Sequence, residues 1–203
     1  MKQKFKYVVA YLTLIALLIS CDNNQHSTKN SNLENVNSNE ETNLTGFKLI
    51  DVIEFEVRVD EEDKEIFKDG IIPWISIENP QEEINRLIDA DKIVINEPEI
   101  TLYIDYPLEN PVKFIIKSNV DGFTKKQLAL EISEKYHELY SKEEKTAQVK
   151  TIPKDKRNGV INRNQTDGKY GIWGHDISDL DLNSIEVYKN PDGKIQISLF
   201  IES

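Results

Sequence analysis

Residues 170–176, YGIWGHD, gather the side chains of this chain best suited to chemistry. Tyr170, Trp173, His175 and Asp176 stand close together, separated by Gly171 and Gly174. Glycine permits positive φ and close backbone approach, so such a stretch can turn sharply and present large side chains. Three readings are open. In the first the loop plugs one end of a sheet, with Trp173 in the core and His175 bonded to backbone. In the second Tyr170, Trp173 and His175 form a binding surface whose aromatics anchor a sugar, a peptide or a protein. In the third His175 and Asp176 serve a catalytic or metal-dependent centre, with Asp179 and Asp181 nearby as partners for the imidazole or for a cation.

The third reading has the fewest signals. Zinc takes three or four ligands, and the other two histidines, His26 and His137, lie in unpromising places. DISDLDLNS, residues 176–184, lacks the spacing and the glycine of a calcium loop. There is no G-x-S-x-G to present a serine, and neither a G-x-G-x-x-G nor a Walker loop for a nucleotide. The 36 acidic residues allow too many carboxylate pairs for any one to point to glycoside cleavage. No metal and no cofactor are therefore expected. Enzyme activity stays open, with a hydrolase or metal-dependent enzyme at His175 and Asp176 as the alternative to binding. Asp176 also suits the N-cap of a short helix starting at Ile177.

The elements that must carry this stretch read as α+β. VIEFEVRV, residues 52–59, alternates apolar and polar side chains, the pattern of a sheet with one buried face. IIPWISI, residues 71–77, suits a short edge segment because Pro73 cannot donate to a ladder. Asn79 and Pro80 open a predicted short helix over about 80–89, with Ile84, Leu87 and Ile88 on one face. EITLYIDYP and PVKFIIKS predict a hairpin. Thr124 and Gln127 spell a capping box, and Phe123 with Leu128 a hydrophobic staple. They open a long helix over about 124–145 with Leu128, Ile132, Tyr136 and Leu139 as its apolar stripe. His137 falls off that stripe and reads as a surface residue. Two alternating runs around Asn190-Pro191-Asp192-Gly193 close the chain as a second hairpin. The expected fold is an antiparallel sheet packed against the long helix and the short one.

Residues 141–168 are polar, and Lys150, Lys154, Lys156, Arg157, Arg163 and Lys169 concentrate positive charge here in a chain of net charge −11. The stretch reads as a surface loop, or as an arm that meets an acidic partner or the protein's own acidic face.

The N-terminus supplies an address. Lys2, Lys4 and Lys6 precede an apolar run from Tyr7 to Ile19, broken only by Thr13. That suits the core of an export signal and is shorter than the roughly 20 residues of a membrane-spanning helix. The run ends Leu18-Ile19-Ser20-Cys21, and Cys21 is the only cysteine. These four residues resemble the lipobox of bacterial lipoproteins. The resemblance implies cleavage after residue 20, acylation of Cys21 and a membrane anchor through its lipid chains. It implies placement in the bacterial cell envelope, with inner membrane, outer membrane and cell surface all open. Residues 1–20 are then a signal peptide, 21–46 a disordered tether rich in Asn, Ser and Glu, and 47–203 a single globular domain. As a coil the tether would span ~25–30 Å.

Removal of Lys2, Lys4 and Lys6 takes the net charge from −11 to −14. Phosphates would repel such a chain, so no nucleic-acid partner is expected. The functional expectation is a lipid-anchored envelope protein whose domain binds an envelope protein or glycan, with a purely structural envelope component as a further alternative.

Overall fold

The computed structural model describes residues 46–61, 63–118, 122–158 and 162–203. The signal, Cys21 and nearly all of the tether lie outside the described residues. The elements follow in chain order: β1 (Lys48–Glu54), β2 (Val57–Arg58), β3 (Ile71–Ile72), β4 (Ile75–Ser76), β5 (Ile93–Ile95), β6 (Glu99–Ile104), β7 (Val112–Lys117), β8 (Phe123–Thr124), α1 (Lys125–Thr146), β9 (Asp181–Lys189) and β10 (Ile195–Glu202). The main sheet runs β1-β9-β10-β6-β7, and β4 also pairs with β9.

The fold is α+β, but the sheet is mixed rather than wholly antiparallel. The hairpins β6–β7 and β9–β10 are antiparallel as the alternation predicts, and β10 joins β6 in parallel. A parallel neighbour needs a long crossover, and the chain between β6 and β10 contains the 22-residue α1. The turn at Asn190 forms as read, with Gly193 N–H donating to Asn190 O and Lys194 N–H to Asn190 Oδ1.

α1 begins where the sequence places it. Thr124 Oγ1 accepts from Gln127 N–H at 3.1 Å, and Phe123 and Leu128 are both fully buried. Only half of the capping box is made, and the Gln127 side-chain oxygen lies 3.4 Å from the Ser118 hydroxyl. Leu128, Ile132, Tyr136 and Leu139 bury completely in one core with Leu102, Ile104, Ile185 and Ile197 of the sheet. Each aliphatic side chain so removed from water contributes about 1.5–3 kcal/mol.

The predicted helix over 80–89 is replaced by a single 3₁₀ turn, Pro80–Glu82. Asn79 makes no side-chain cap, and Glu83 instead accepts from Ser76 N–H. Beyond it Arg86 and Leu87 N–H still make turn bonds to Glu83 and Ile84 O, but the chain also bonds across to residues 56–58. Ile88 N–H donates to Glu56 O, and Arg86 O accepts from Arg58 N–H. Ile84 and Leu87 still reach the core, so the apolar spacing reflects burial without a helix. IIPWISI divides around Pro73, β3 pairing with β2 and β4 with β9.

Candidate binding site

Residues 170–174 pass between two other segments and bond to both, with Gly171 in the left-handed region at φ +65°. On one side Glu109 N–H donates to Gly171 O, Asn110 N–H to Tyr170 O and Trp173 N–H to Pro107 O. On the other, Thr166 N–H donates to Ile172 O and Arg163 N–H to Gly174 O. Tyr170 and Ile172 point inward, at 5% and 0% exposure. Ile172 sits in a bridge with Leu108, where neighbouring side chains alternate in direction, and Trp173 points out at 39%. At Gly174 φ is +72°, and His175 N–H closes a tight turn onto Trp173 O. That turn brings His175 beside Trp173.

The result is a cluster of three rings. Tyr106 meets Trp173 edge to face, with centroids 5.3 Å apart and planes at 84°. His175 lies 5.5 Å from Tyr106 and 6.1 Å from Trp173. The Tyr106 hydroxyl bonds the Ser203 hydroxyl at 2.8 Å. Below the cluster Tyr140 donates its hydroxyl to His175 O at 2.9 Å, and Tyr136 donates to Tyr106 O at 2.8 Å. Burial pushes the Tyr140 phenol up despite the Arg163 guanidinium over its ring, so it stays a donor. The His175 imidazole has no hydrogen-bond partner among the described residues.

Of the residues singled out in the sequence, Trp173 and His175 come together at the surface. Tyr170 does not join them, because it occupies the core side of the same line. Asp176 is taken up by another partner: Arg157 donates to both carboxylate oxygens, at 2.7 and 2.9 Å. Lys154 Nζ lies 3.6 Å away and Arg163 3.9 Å. Burial would raise the Asp176 carboxyl, but the Arg157 bonds and the nearby cations hold it below its ordinary 3.8. Asp176 also precedes a short 3₁₀ turn, Ile177–Asp179, and its N–H donates to the Asp179 carboxylate. Lys154, Arg157 and Arg163 of the polar stretch thus meet the protein's own acids, one of the two destinations the sequence left open. His137, on exposed α1 surface, bonds Glu78 O at 2.9 Å.

Three contributors carry no role in the sequence reading, Glu143, Tyr106 and Tyr140, and Arg163 enters it only as one of the cations of the polar stretch. Glu143 is wholly buried. Its carboxylate accepts from the Thr166 hydroxyl at 2.7 Å, from Gly168 N–H and Tyr170 N–H at 2.8 Å, and from Gly171 N–H at 3.3 Å. Burial would raise its pKa, and these four donors together outweigh burial and hold it below 4.5. A Cβ on Gly168 would sit 2.6 Å from the Glu143 carboxyl carbon, so only glycine lets the backbone approach this closely. Glu143 had a legible signal. It continues the stripe of Ile132, Tyr136 and Leu139 by four residues, a charge on a buried face. Arg163, also buried, donates to Ile172 O and to the Thr151 hydroxyl.

Among the described residues no three His, Asp or Glu side chains converge as a metal site would need, and no helix is long and apolar enough to cross a membrane. Comparison of the chain with family models, characterised proteins and solved structures finds no match.

Proposed function

We propose that this chain is a lipid-anchored protein of the bacterial cell envelope whose domain binds an envelope protein or glycan. The binding reading is carried by one observation. A large aromatic, Trp173, stands exposed beside the imidazole of His175 and the ring of Tyr106, on a backbone line fixed by hydrogen bonds on both sides. A rigid aromatic held ready at a surface loses little entropy on binding. The hydrolase alternative gains nothing from this arrangement, since Asp176 is committed to Arg157.

The anchor rests on Leu18-Ile19-Ser20-Cys21, preceded by the basic and apolar segments of an export signal. Replacement of Cys21 by Ser removes the acylated thiol. The expected outcome is transfer of the protein from the membrane pellet to the soluble or precursor fraction. Full retention of Cys21→Ser in the membrane as processed protein would remove lipidation as the anchor.

A further inference from the structure

This inference rests on the binding reading above and names the ligand. We infer that the Tyr106–Trp173–His175 patch takes a sugar chain, one pyranose ring lying on the open face of Trp173.

The geometry favours a sugar over a protein partner in three ways. First, neither neighbouring ring lies flat on the indole. Tyr106 meets it at 84° and His175 at 66°, so neither stacks on the indole, and Trp173 keeps 39% exposure. The C–H-bearing face of a pyranose fits such a π-surface, whose negative face attracts polarised C–H groups. Second, hydrogen-bonding groups border the indole. The His175 nitrogens are without a partner among the described residues, and one can donate while the other accepts. Every buried side-chain nitrogen and oxygen that the described residues contain has a partner, so these nitrogens face solvent. Third, the lines on either side of Trp173 carry polar rather than apolar exposed residues. Gln165 donates to Glu109 across them at 3.2 Å, and Asn110 is exposed beside Glu109. A water-excluding protein contact around Trp173 would bury these groups, whereas an aromatic platform rimmed with amide, carboxylate and imidazole groups matches the alternating apolar faces and hydroxyls of a sugar.

The test uses the full chain, purified in detergent, on an array of bacterial surface glycans. The array includes β-1,4-linked N-acetylglucosamine oligomers and mannose, galactose and rhamnose chains. A bound glycan is then titrated into the Trp74→Phe protein, in which Trp173 is the only tryptophan. The expected result is a saturable fluorescence change, weakened at least tenfold by His175→Ala. Trp173→Phe should keep part of the array signal and Trp173→Ala should lose it, both proteins retaining the wild-type circular dichroism. If no glycan binds above the Trp173→Ala protein, the sugar inference is overturned. A photo-crosslinker at position 165 in intact cells then separates the two readings. A protein adduct that disappears with His175→Ala keeps the binding reading and replaces the sugar by a protein. With neither glycan nor adduct, both readings fall.

Discussion

The two ends of α1 are packed by opposite chemistry. Leu128, Ile132, Tyr136 and Leu139 meet the sheet through a hydrocarbon core, while Glu143, on the same face, meets residues 166–171 through a carboxylate. Hydrocarbon burial is non-directional and fixes an element only as well as its neighbours fit. A carboxylate holding four donors specifies where each N–H must be. The chain thus places its sheet by area and the line carrying Trp173 by hydrogen-bond geometry. What this teaches is where precision resides: the part that presents the aromatic patch is the part held by charge.

Breaking each half should look different. Glu143→Ala leaves three backbone N–H groups and a hydroxyl without their acceptor, and each unsatisfied buried group costs about 1–3 kcal/mol. With partial relaxation, a loss of about 4 kcal/mol in urea unfolding is expected. Leu139→Ala removes a fully buried side chain and should cost about 3 kcal/mol. The contrast lies in how the loss is distributed. Under native conditions trypsin should cut Glu143→Ala at Lys150, Lys154, Lys156 or Arg157 at least tenfold faster than the wild type. Leu139→Ala should show no such preference. Equal cleavage patterns in the two proteins would mean that the polar segment has no separate hold.

The same contrast appears in pH. Glu143 and Asp176 are acids held below their ordinary values in the folded state. Their stabilisation is complete above about pH 4.5 and disappears as pH falls through the lowered folded values. Asp181 works the other way. Burial first, then Glu83, Glu202 and Asp179, push its carboxyl up from 3.8 to about 6. Its contribution is present below pH 3.8 and is lost as pH rises through about 6. Asp181 lies opposite Glu202 on β10 and Ser76 on β4. Asp181→Asn should therefore raise stability by about 1–2 kcal/mol at pH 7.5 and leave it unchanged at pH 3.5. Unfolding curves at the two pH values check this, and a loss at pH 7.5 would show that the carboxylate is needed there.

The sequence-derived expectations succeed where one period dominates. Alternation located β6, β7, β9 and β10, and the stripe with its Thr124 cap located α1, whereas the strand expected over 52–59 divides into the end of β1, which begins at Lys48, and the short β2. They fail where a tertiary bond overrides a local pattern. Ile84 and Leu87 bury as a helix face would, yet the backbone of 86–88 bonds across to 56–58. The parallel join of β10 to β6 is invisible to alternation, since either direction gives the same pattern of faces. At the site, the choice of Trp173 and His175 rested on residue type, and type alone could not separate Tyr170 from them. Parity could not either, because Gly171 at φ +65° interrupts the line between them; parity separates only the adjacent Ile172 and Trp173.

That parity gives the smallest contrast and the sharpest one. Ile172 and Trp173 are adjacent, with 0% and 39% exposure. Ile172→Ala should cost about 2–4 kcal/mol, the range for a core aliphatic. Trp173→Ala removes the larger side chain but gives up only its partial burial and its edge-to-face contact with Tyr106, about 2 kcal/mol together. Thermal unfolding of the two variants side by side tests the inversion. If Trp173→Ala destabilises as much as Ile172→Ala, the indole is structural and its exposure does not signify a site. If the order holds, a tryptophan is being kept at the surface on a backbone line that could have buried it, and stability alone gives no reason for it to be there.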